Sequence, residues 1–168
     1  MKVKITATTK YNDVALFADQ MAENETVKAE AWRHIFGHDF WSLTIDEFCD
    51  LSAGESECLA RRAIYEGELT VYGYALLVDF KAKAVALGEA VERLSPPQNA
   101  AERAAAQAVK MTLFESMVFF ARDFFGLKSF AEASRVTLGE WLMARKAKYT
   151  SVMLERAVIR EQTKNLKR

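Results

Sequence analysis

Several residue types and patterns are scarce in this chain of 168 residues. Cysteine occurs only twice, as Cys49 and Cys58, which is too few for a disulfide framework or a structural zinc site. The 7 glycines and 2 prolines exclude a collagen-like chain and disfavour a turn-rich all-β protein. No apolar run reaches the roughly 18 residues that span a bilayer, and the start MKVKITATTK lacks the apolar segment of a signal peptide. We therefore expect a reduced, cytoplasmic protein with no membrane partner.

Apolar residues make up 51% of the chain, and many recur at helical spacing. One stripe predicts a long helix that Ser95-Pro96-Pro97 stops, since proline has no N–H to donate: Leu69, Tyr72, Leu76, Phe80, Ala84, Leu87, Val91 and Leu94. The segment 68–74 is rich in β-formers, so the first turns of this helix are open to an extended alternative. We prefer a helix there because the stripe continues without a break.

Two further long helices follow from capping signals. Asn99, with Glu102 three residues later, predicts the start of a helix that continues to a C-cap at Gly126. Thr137 and Glu140 form a capping-box pair that opens a third helix. Between them, residues 130–133 predict one short helical turn.

The first third of the chain predicts several short helices, with Thr26 and Thr44 as N-caps. Residues 1–10 are expected to form an extended segment, either a loose arm or a strand that pairs with another chain, and residues 163–168 to fray. The predicted fold is all-α, with three long helices and the short N-terminal helices in a single bundle-like domain over residues 1–168.

Charge is balanced overall but segregated along the chain. Residues 1–55 hold 5 basic and 10 acidic side chains, whereas residues 137–168 hold 8 basic and 3 acidic ones. The C-terminal helix therefore offers a candidate basic patch for a nucleic acid or an acidic partner. Its members are Arg145, Lys148, Arg156 and Arg160. A small regulatory adaptor or nucleic-acid-associated protein is accordingly the alternative function, although Glu155 and Glu161 interrupt the patch.

Residues suited to catalysis are few. Glu30, His34 and His38 have a spacing that would place a carboxylate and two imidazoles on one helix face, as in a metal site. Gly37 lies inside this pattern and predicts that the helix ends before His38. No phosphate-binding glycine loop, nucleophile elbow or metalloprotease motif is present. We therefore expect a non-enzymatic protein without a metal or other cofactor.

Large aromatic side chains are the most distinctive feature of the sequence. They concentrate near residues 36–41 and 114–141, and a small helical domain cannot cover all of them. Aromatic residues are enriched at subunit interfaces, so the excess predicts protein contact, including a homo-oligomer. The candidate packing or interface anchors are Trp41, Phe119, Phe120, Phe124 and Trp141.

The C-terminal region shows one resemblance to a known group. The stretch 124–133, which reads FFGLKSFAEA, is followed at 137–143 by TLGEWLM and then by a helix through Tyr149. This order is similar to the ends of small helical proteins of tailed-bacteriophage tail modules, including tail assembly chaperones. The resemblance covers about a quarter of the chain and implies a structural or assembly protein of a phage or prophage. Its partners would be other phage proteins, in the bacterial host cytoplasm or in the virion.

Overall fold

The computed structural model describes residues 5–53, 57–96, 98–101 and 110–166. Within these residues the regular structure is helical except for one short hairpin, β1 (Ile64–Tyr65) paired antiparallel with β2 (Glu68–Leu69). The predicted all-α class is therefore confirmed. Backbone packing divides the chain into two compact units, unit 1 (Met1–Ala86) and unit 2 (Leu87–Arg168). This division is finer than the single domain predicted from the sequence.

Unit 1 is built from short elements before one long helix. In chain order these are a 3-10 turn (Asn12–Val14), α1 (Ala15–Glu23), α2 (Glu25–Ile35), a 3-10 turn (Phe40–Ser42), α3 (Ile45–Ala53), α4 (Glu57–Ala63), the hairpin, and α5 (Val71–Arg93), whose residues after Ala86 belong to unit 2. The cap predicted at Thr26 is wrong, because the Asn24 side chain accepts the backbone N–H groups of Thr26 and Val27. The Thr44 cap is confirmed by its reciprocal hydrogen bonds with Glu47.

The extended alternative is correct for the residues that precede α5. Leu69 lies in β2, and α5 begins only at Val71. Thr70 connects the two elements: its backbone N–H and its hydroxyl both donate to the Ala63 carbonyl, and its hydroxyl accepts from the Gly73 N–H. The backbone of α5 consequently lies so close to Ala63 that a Cβ on Gly73 would be 2.0 Å from that carbonyl oxygen.

The described part of the predicted N-terminal arm is held against this hairpin. The Val71 N–H donates to the Thr9 carbonyl, and the Tyr11 N–H donates to the Leu69 carbonyl. Lys10 also forms an ion pair with Glu68 at 2.8 Å. Residues 5–10 are thus a bonded segment with a turn and not a loose arm, while residues 1–4 lie outside the described residues.

The core of unit 1 is aromatic and closed. The Phe40 ring is fully buried and contacts the rings of Trp32, Phe48 and Phe80 at centroid distances of 5.8–5.9 Å. The Trp32 indole N–H donates to the buried Asp79 carboxylate at 2.7 Å. Tyr72, Leu76 and Phe80 of the predicted stripe are buried, as expected, and α5 ends at Arg93, ahead of Pro96.

Unit 2 contains three described helices after α5: α6 (Leu113–Phe125), α7 (Phe130–Ala133) and α8 (Leu138–Leu166). The prediction of one continuous helix from Asn99 to Gly126 is wrong. Residues 110–112 are not helical, and Thr112 starts a new helix through a capping box with Glu115. The proposed capping partner Glu102 lies outside the described residues.

The remaining helix boundaries of unit 2 follow the sequence signals closely. Gly126 ends α6 with a φ of 65°, the left-handed conformation that glycine adopts without a steric penalty. The predicted turn at 130–133 is α7, and Thr137 and Glu140 cap α8 reciprocally. Helix α8 continues to Leu166, through part of the segment expected to fray, and residues 167–168 lie outside the described residues.

Candidate functional site

Large rings on α6 and α7 remain exposed even though the inner side of α6 is packed. Met117, Val118 and Ala121 of α6 are buried, whereas Phe114, Phe119, Phe124, Phe125 and Phe130 are each more than a third exposed. Successive residues of a helix are 100° apart, so rings at consecutive positions cannot all point to the same side. Three of these exposed rings, Phe119, Phe124 and Phe130, belong to two groups that each include an arginine.

The first group, which we call the Arg122 cluster, consists of Phe119, Arg122 and Phe130. The two rings meet edge to face at a centroid distance of 4.9 Å. The Arg122 guanidinium lies 5.3 Å from the Phe119 centroid and 4.7 Å from the Phe130 centroid. Phe119 is 39% exposed and Phe130 is 47% exposed, so this arrangement leaves much of both rings in contact with water.

The second group, the Arg145 cluster, consists of Phe120, Phe124, Trp141 and Arg145. Phe120 stacks on Phe124 at 5.7 Å and meets the edge of Trp141 at 5.8 Å. The Arg145 guanidinium lies 5.1 Å from the Phe120 centroid and 5.5 Å from the Trp141 centroid. Burial lowers the pKa of Arg145, and its Nε–H has no hydrogen-bond partner among the described residues. Arg145 is thus a packing residue of this cluster.

The structure separates the predicted interface anchors into different roles. Trp141 is buried, and its indole N–H donates to the Met117 carbonyl at 3.1 Å, so it is a core residue of unit 2. Phe119 and Phe124 are exposed, and Phe120 is half-buried. Trp41 belongs to unit 1, where it is half-buried with its ring perpendicular to that of Phe40.

Comparison with protein-family models, with curated proteins and with solved structures finds no match to this chain. Among the described residues, no helix combines the length and the apolar character needed to cross a bilayer.

The predicted basic patch does not act as one exposed surface. Arg145 is packed against rings, and Arg156 is half-buried. Lys148 and Arg160 are exposed on α8. The side chains of this set therefore differ in their access to a phosphate backbone, which weakens the basis for nucleic-acid binding.

The outer side of α8 carries a second apolar surface, which the sequence reasoning missed. Met143, Ala147, Leu154 and Val158 are all exposed there, and we call this row the outer stripe. Trp141 and Ala144 on the inner side are buried. The spacing of Leu154 and Val158, four residues apart on a helix, was a signal that could have revealed this row.

The candidate metal ligands are not brought together. Helix α2 ends at Ile35, and Gly37 has a φ of 81°, so His38 leaves the helix face that holds Glu30 and His34. Glu30 instead accepts a hydrogen bond from the Tyr72 hydroxyl at 2.7 Å. Burial, followed by this hydrogen bond, raises the pKa of Tyr72 to about 12. Within the described ranges, no group of three or more His, Cys, Asp or Glu side chains is placed to bind a metal ion.

The cysteines have no arrangement that favours nucleophilic chemistry. Cys49 is half-buried, and this burial, with smaller effects from Asp50 and Asp46, raises the pKa of its thiol to about 11. A thiol with such a pKa is almost entirely protonated at neutral pH, and the thiolate is the reactive form. Cys58 is exposed.

Proposed function

We propose that this protein is non-catalytic and acts by binding another protein chain through the exposed rings of α6 and α7. The observation that supports this proposal best is the exposure of Phe119, Phe124 and Phe130, each at 39–47%. Leaving such apolar area in water is unfavourable by about 25 cal/mol for each Å² that a partner would otherwise cover. A contact surface is the usual reason for rings to remain exposed together.

The arginines strengthen the case for contact. Aromatic residues and arginine are the residue types most enriched at the centres of protein interfaces. The Arg122 guanidinium lies within 5.3 Å of two ring centroids, so it is already positioned beside the rings and loses little side-chain freedom when a partner covers them. A partner with an acidic or aromatic side chain would be complementary to this cluster.

The biological setting that we propose is the assembly or structure of a tailed bacteriophage or prophage. The resemblance to tail-module proteins rests on a helix, a short turn and a capped helix in that order, and α6, α7 and α8 follow it. The protein would then work in the cytoplasm of the bacterial host or remain in the virion, with phage proteins as its partners.

The proposal is tested by co-expression with the proteins encoded by the flanking genes, followed by co-purification and light scattering. Phe119→Asp, Phe124→Asp and Phe130→Asp are the test variants, and Phe17→Asp in unit 1 is the matched control, since Phe17 is also exposed. We expect the three test variants to lose the complex by at least about tenfold in affinity, and the control to retain it.

Two outcomes would contradict the proposal. In one, the test variants keep wild-type binding while remaining folded by circular dichroism. In the other, no protein complex forms, whereas the purified protein shifts DNA at low salt and releases it as salt increases, which would favour the nucleic-acid alternative.

A further inference from the structure

Helix α8 extends beyond the part of unit 2 that covers it. Its 29 residues span about 44 Å. Leu138, Trp141 and Ala144 in its first turns are buried, and Tyr149 and Val152 are half-buried. From residue 157 to residue 165 every side chain is exposed. The C-terminal half of α8 thus has a long surface that is open to a partner.

Three residues of the outer stripe, together with Ser151, have the spacing of a seam through which two helices pair. Ala147, Ser151, Leu154 and Val158 follow one another at steps of four, three and four residues, the alternation that defines a coiled-coil core. Leu154 is 62% exposed and Val158 is 56% exposed. Ala147 and Ser151 are small, so a second helix can approach the backbone closely beside these larger side chains.

The charges beside this seam indicate what kind of helix fits it. Lys148 directly follows the core residue Ala147, and Glu155 directly follows the core residue Leu154, seven residues later. When two copies of a helix pair antiparallel, a residue that directly follows a core position in one copy faces a residue that directly follows a core position in the other copy. Lys148 of one copy then faces Glu155 of the other, and the two-fold symmetry repeats the pair.

Parallel pairing of the two helices would not bring Lys148 of one copy close to Glu155 of the other. Parallel pairing places the residue after a core position opposite residues on the other flank of the seam. In this helix that other flank consists of Met143, Thr150 and Ala157, none of which is charged. Charge complementarity therefore selects the antiparallel arrangement over the parallel one.

We propose that two copies of this chain pair antiparallel through the outer side of α8. Ala147 then lies opposite Val158 of the second copy, Ser151 lies opposite Leu154, and Lys148 forms an ion pair with Glu155. The contact is closed and symmetric, so it yields a dimer and not an open chain. This inference names a second copy of the chain as one binding partner. It rests on the proposed function only in assuming that the protein acts by binding other protein chains.

The decisive experiment is a charge swap followed by sedimentation equilibrium of the full chain over a range of concentrations. Lys148→Glu and Glu155→Lys should each weaken the dimer by about tenfold, since each replaces two ion pairs with two like-charge contacts. The double variant should restore the affinity, because it re-forms both pairs with their signs reversed. Two residues seven apart on one helix do not contact each other, so folding of the monomer predicts no such rescue.

Further variants provide the controls. Leu154→Glu should abolish the dimer, while Leu16→Glu, at an exposed position of unit 1, should leave it unchanged. Lys146→Glu changes the same charge on α8 but lies outside the seam, so it should also have no effect. Circular dichroism of each variant verifies that α8 remains helical.

The orientation is measured with spin labels at Thr163→Cys, after Cys49 and Cys58 are replaced by serine. Antiparallel pairing centred between Ser151 and Leu154 separates the two labels by about 30 Å along the helix axis, whereas parallel pairing places them side by side.

A wild-type protein that is monomeric at every concentration, or a double variant that fails to recover, would overturn the inference. If such a monomer still binds a flanking-gene protein through Phe119 and Phe124, only the pairing of α8 is refuted and the proposed contact function remains.

Discussion

The two units differ in their aromatic clusters, although unit 1 also has exposed rings at Phe17 and Tyr65. In unit 1, the rings of Trp32, Phe40, Phe48 and Phe80 enclose one another and are shielded from water. In the described part of unit 2, Trp141 is buried and contacts the half-buried Phe120, whereas Phe114, Phe119, Phe124, Phe125 and Phe130 are exposed. The two regions share a high aromatic content but differ in how many of their large rings are enclosed.

The difference in ring exposure between the units accompanies a difference in the number and length of their helices. Unit 1 reverses direction at several short helices and a hairpin, so its chain returns to the same core from many sides. In the described part of unit 2, α6 and α8 are long and joined through the short α7, so fewer segments are available to cover α6. The exposed rings of α6 therefore coincide with a smaller number of described elements packed around that helix.

Truncating one ring in each unit should give the largest contrast. Phe40→Ala should lower the free energy of unfolding by about 3–5 kcal/mol, because Phe40 is fully buried and its removal leaves a cavity. Phe124→Ala should cost less than about 1 kcal/mol, because its ring is 40% exposed. Urea unfolding followed by circular dichroism measures both values, and equal losses would contradict the distinction between the units.

Two glycines of α5 provide the next contrast. Gly73→Ala should cost about 3 kcal/mol or more, because the added Cβ would overlap the backbone of Ala63. Gly88→Ala is the matched control in the same helix, and nothing lies within 4 Å of its added Cβ. It should stabilise the protein by about 0.5–1 kcal/mol through helix propensity. Thermal unfolding tests both changes, and a stable Gly73→Ala protein would refute the close approach.

The two buried tryptophans satisfy their indole N–H groups differently. Trp141 donates to a backbone carbonyl, whereas Trp32 donates to the Asp79 carboxylate, which also accepts from Lys83. Asp79→Ala should cost about 1–3 kcal/mol, since it leaves the Trp32 N–H buried without an acceptor. Asp79→Asn retains an oxygen acceptor and should cost less. Trp fluorescence during urea unfolding measures the difference, and equal costs would show that this hydrogen bond contributes little.

The smallest expected effects are at the helix starts of unit 2. Hydrogen bonds from the backbone N–H and then the hydroxyl of Thr112 lower the pKa of Glu115, and those of Thr137 lower the pKa of Glu140. A lowered pKa in the folded state means that this stabilisation is present above the ordinary glutamate pKa of 4.5 and is lost as the pH falls through the lowered value.

The protection factors of amides in the first turns of α6 and α8, taken relative to the intrinsic exchange rate at each pH, should therefore fall in acid, and Glu115→Gln with Glu140→Gln should remove that dependence. Thr137→Ala should cost about 1 kcal/mol, while Thr137→Ser retains the cap and should cost much less. Protection factors that do not change with pH in the wild-type protein would contradict the role assigned to these carboxylates.

Several helix caps were predictable from the sequence, but local signals that compete with one another were not always ranked correctly, as at Thr26 and Thr112. The caps at Thr44 and Thr137 and the end at Gly126 depend on atoms within a few residues, and all three are present in the structure. The break before α6 was missed, because the alanine-rich stretch before it favours a helix and Thr112 was not recognised as a stronger local start.

The candidate site also combines features that the sequence predicted with features that it did not. The excess of rings was evident from composition, but their individual exposure was not, since Trp141 and Phe124 were both predicted as packing or interface anchors and have opposite burial. The sequence predicted Arg145 as an exposed member of the basic patch, whereas the structure places its guanidinium against the rings of Phe120 and Trp141.

The sequence by itself determined the helical class and many of the helix ends, because helix periodicity, caps and proline stops act within one or two turns of the chain. Only the tertiary structure decided which rings are enclosed and which acceptor Trp32 uses. Burial and hydrogen bonding at those positions depend on partners as far apart as Trp32 and Asp79, and spacing along the chain does not reveal such partners.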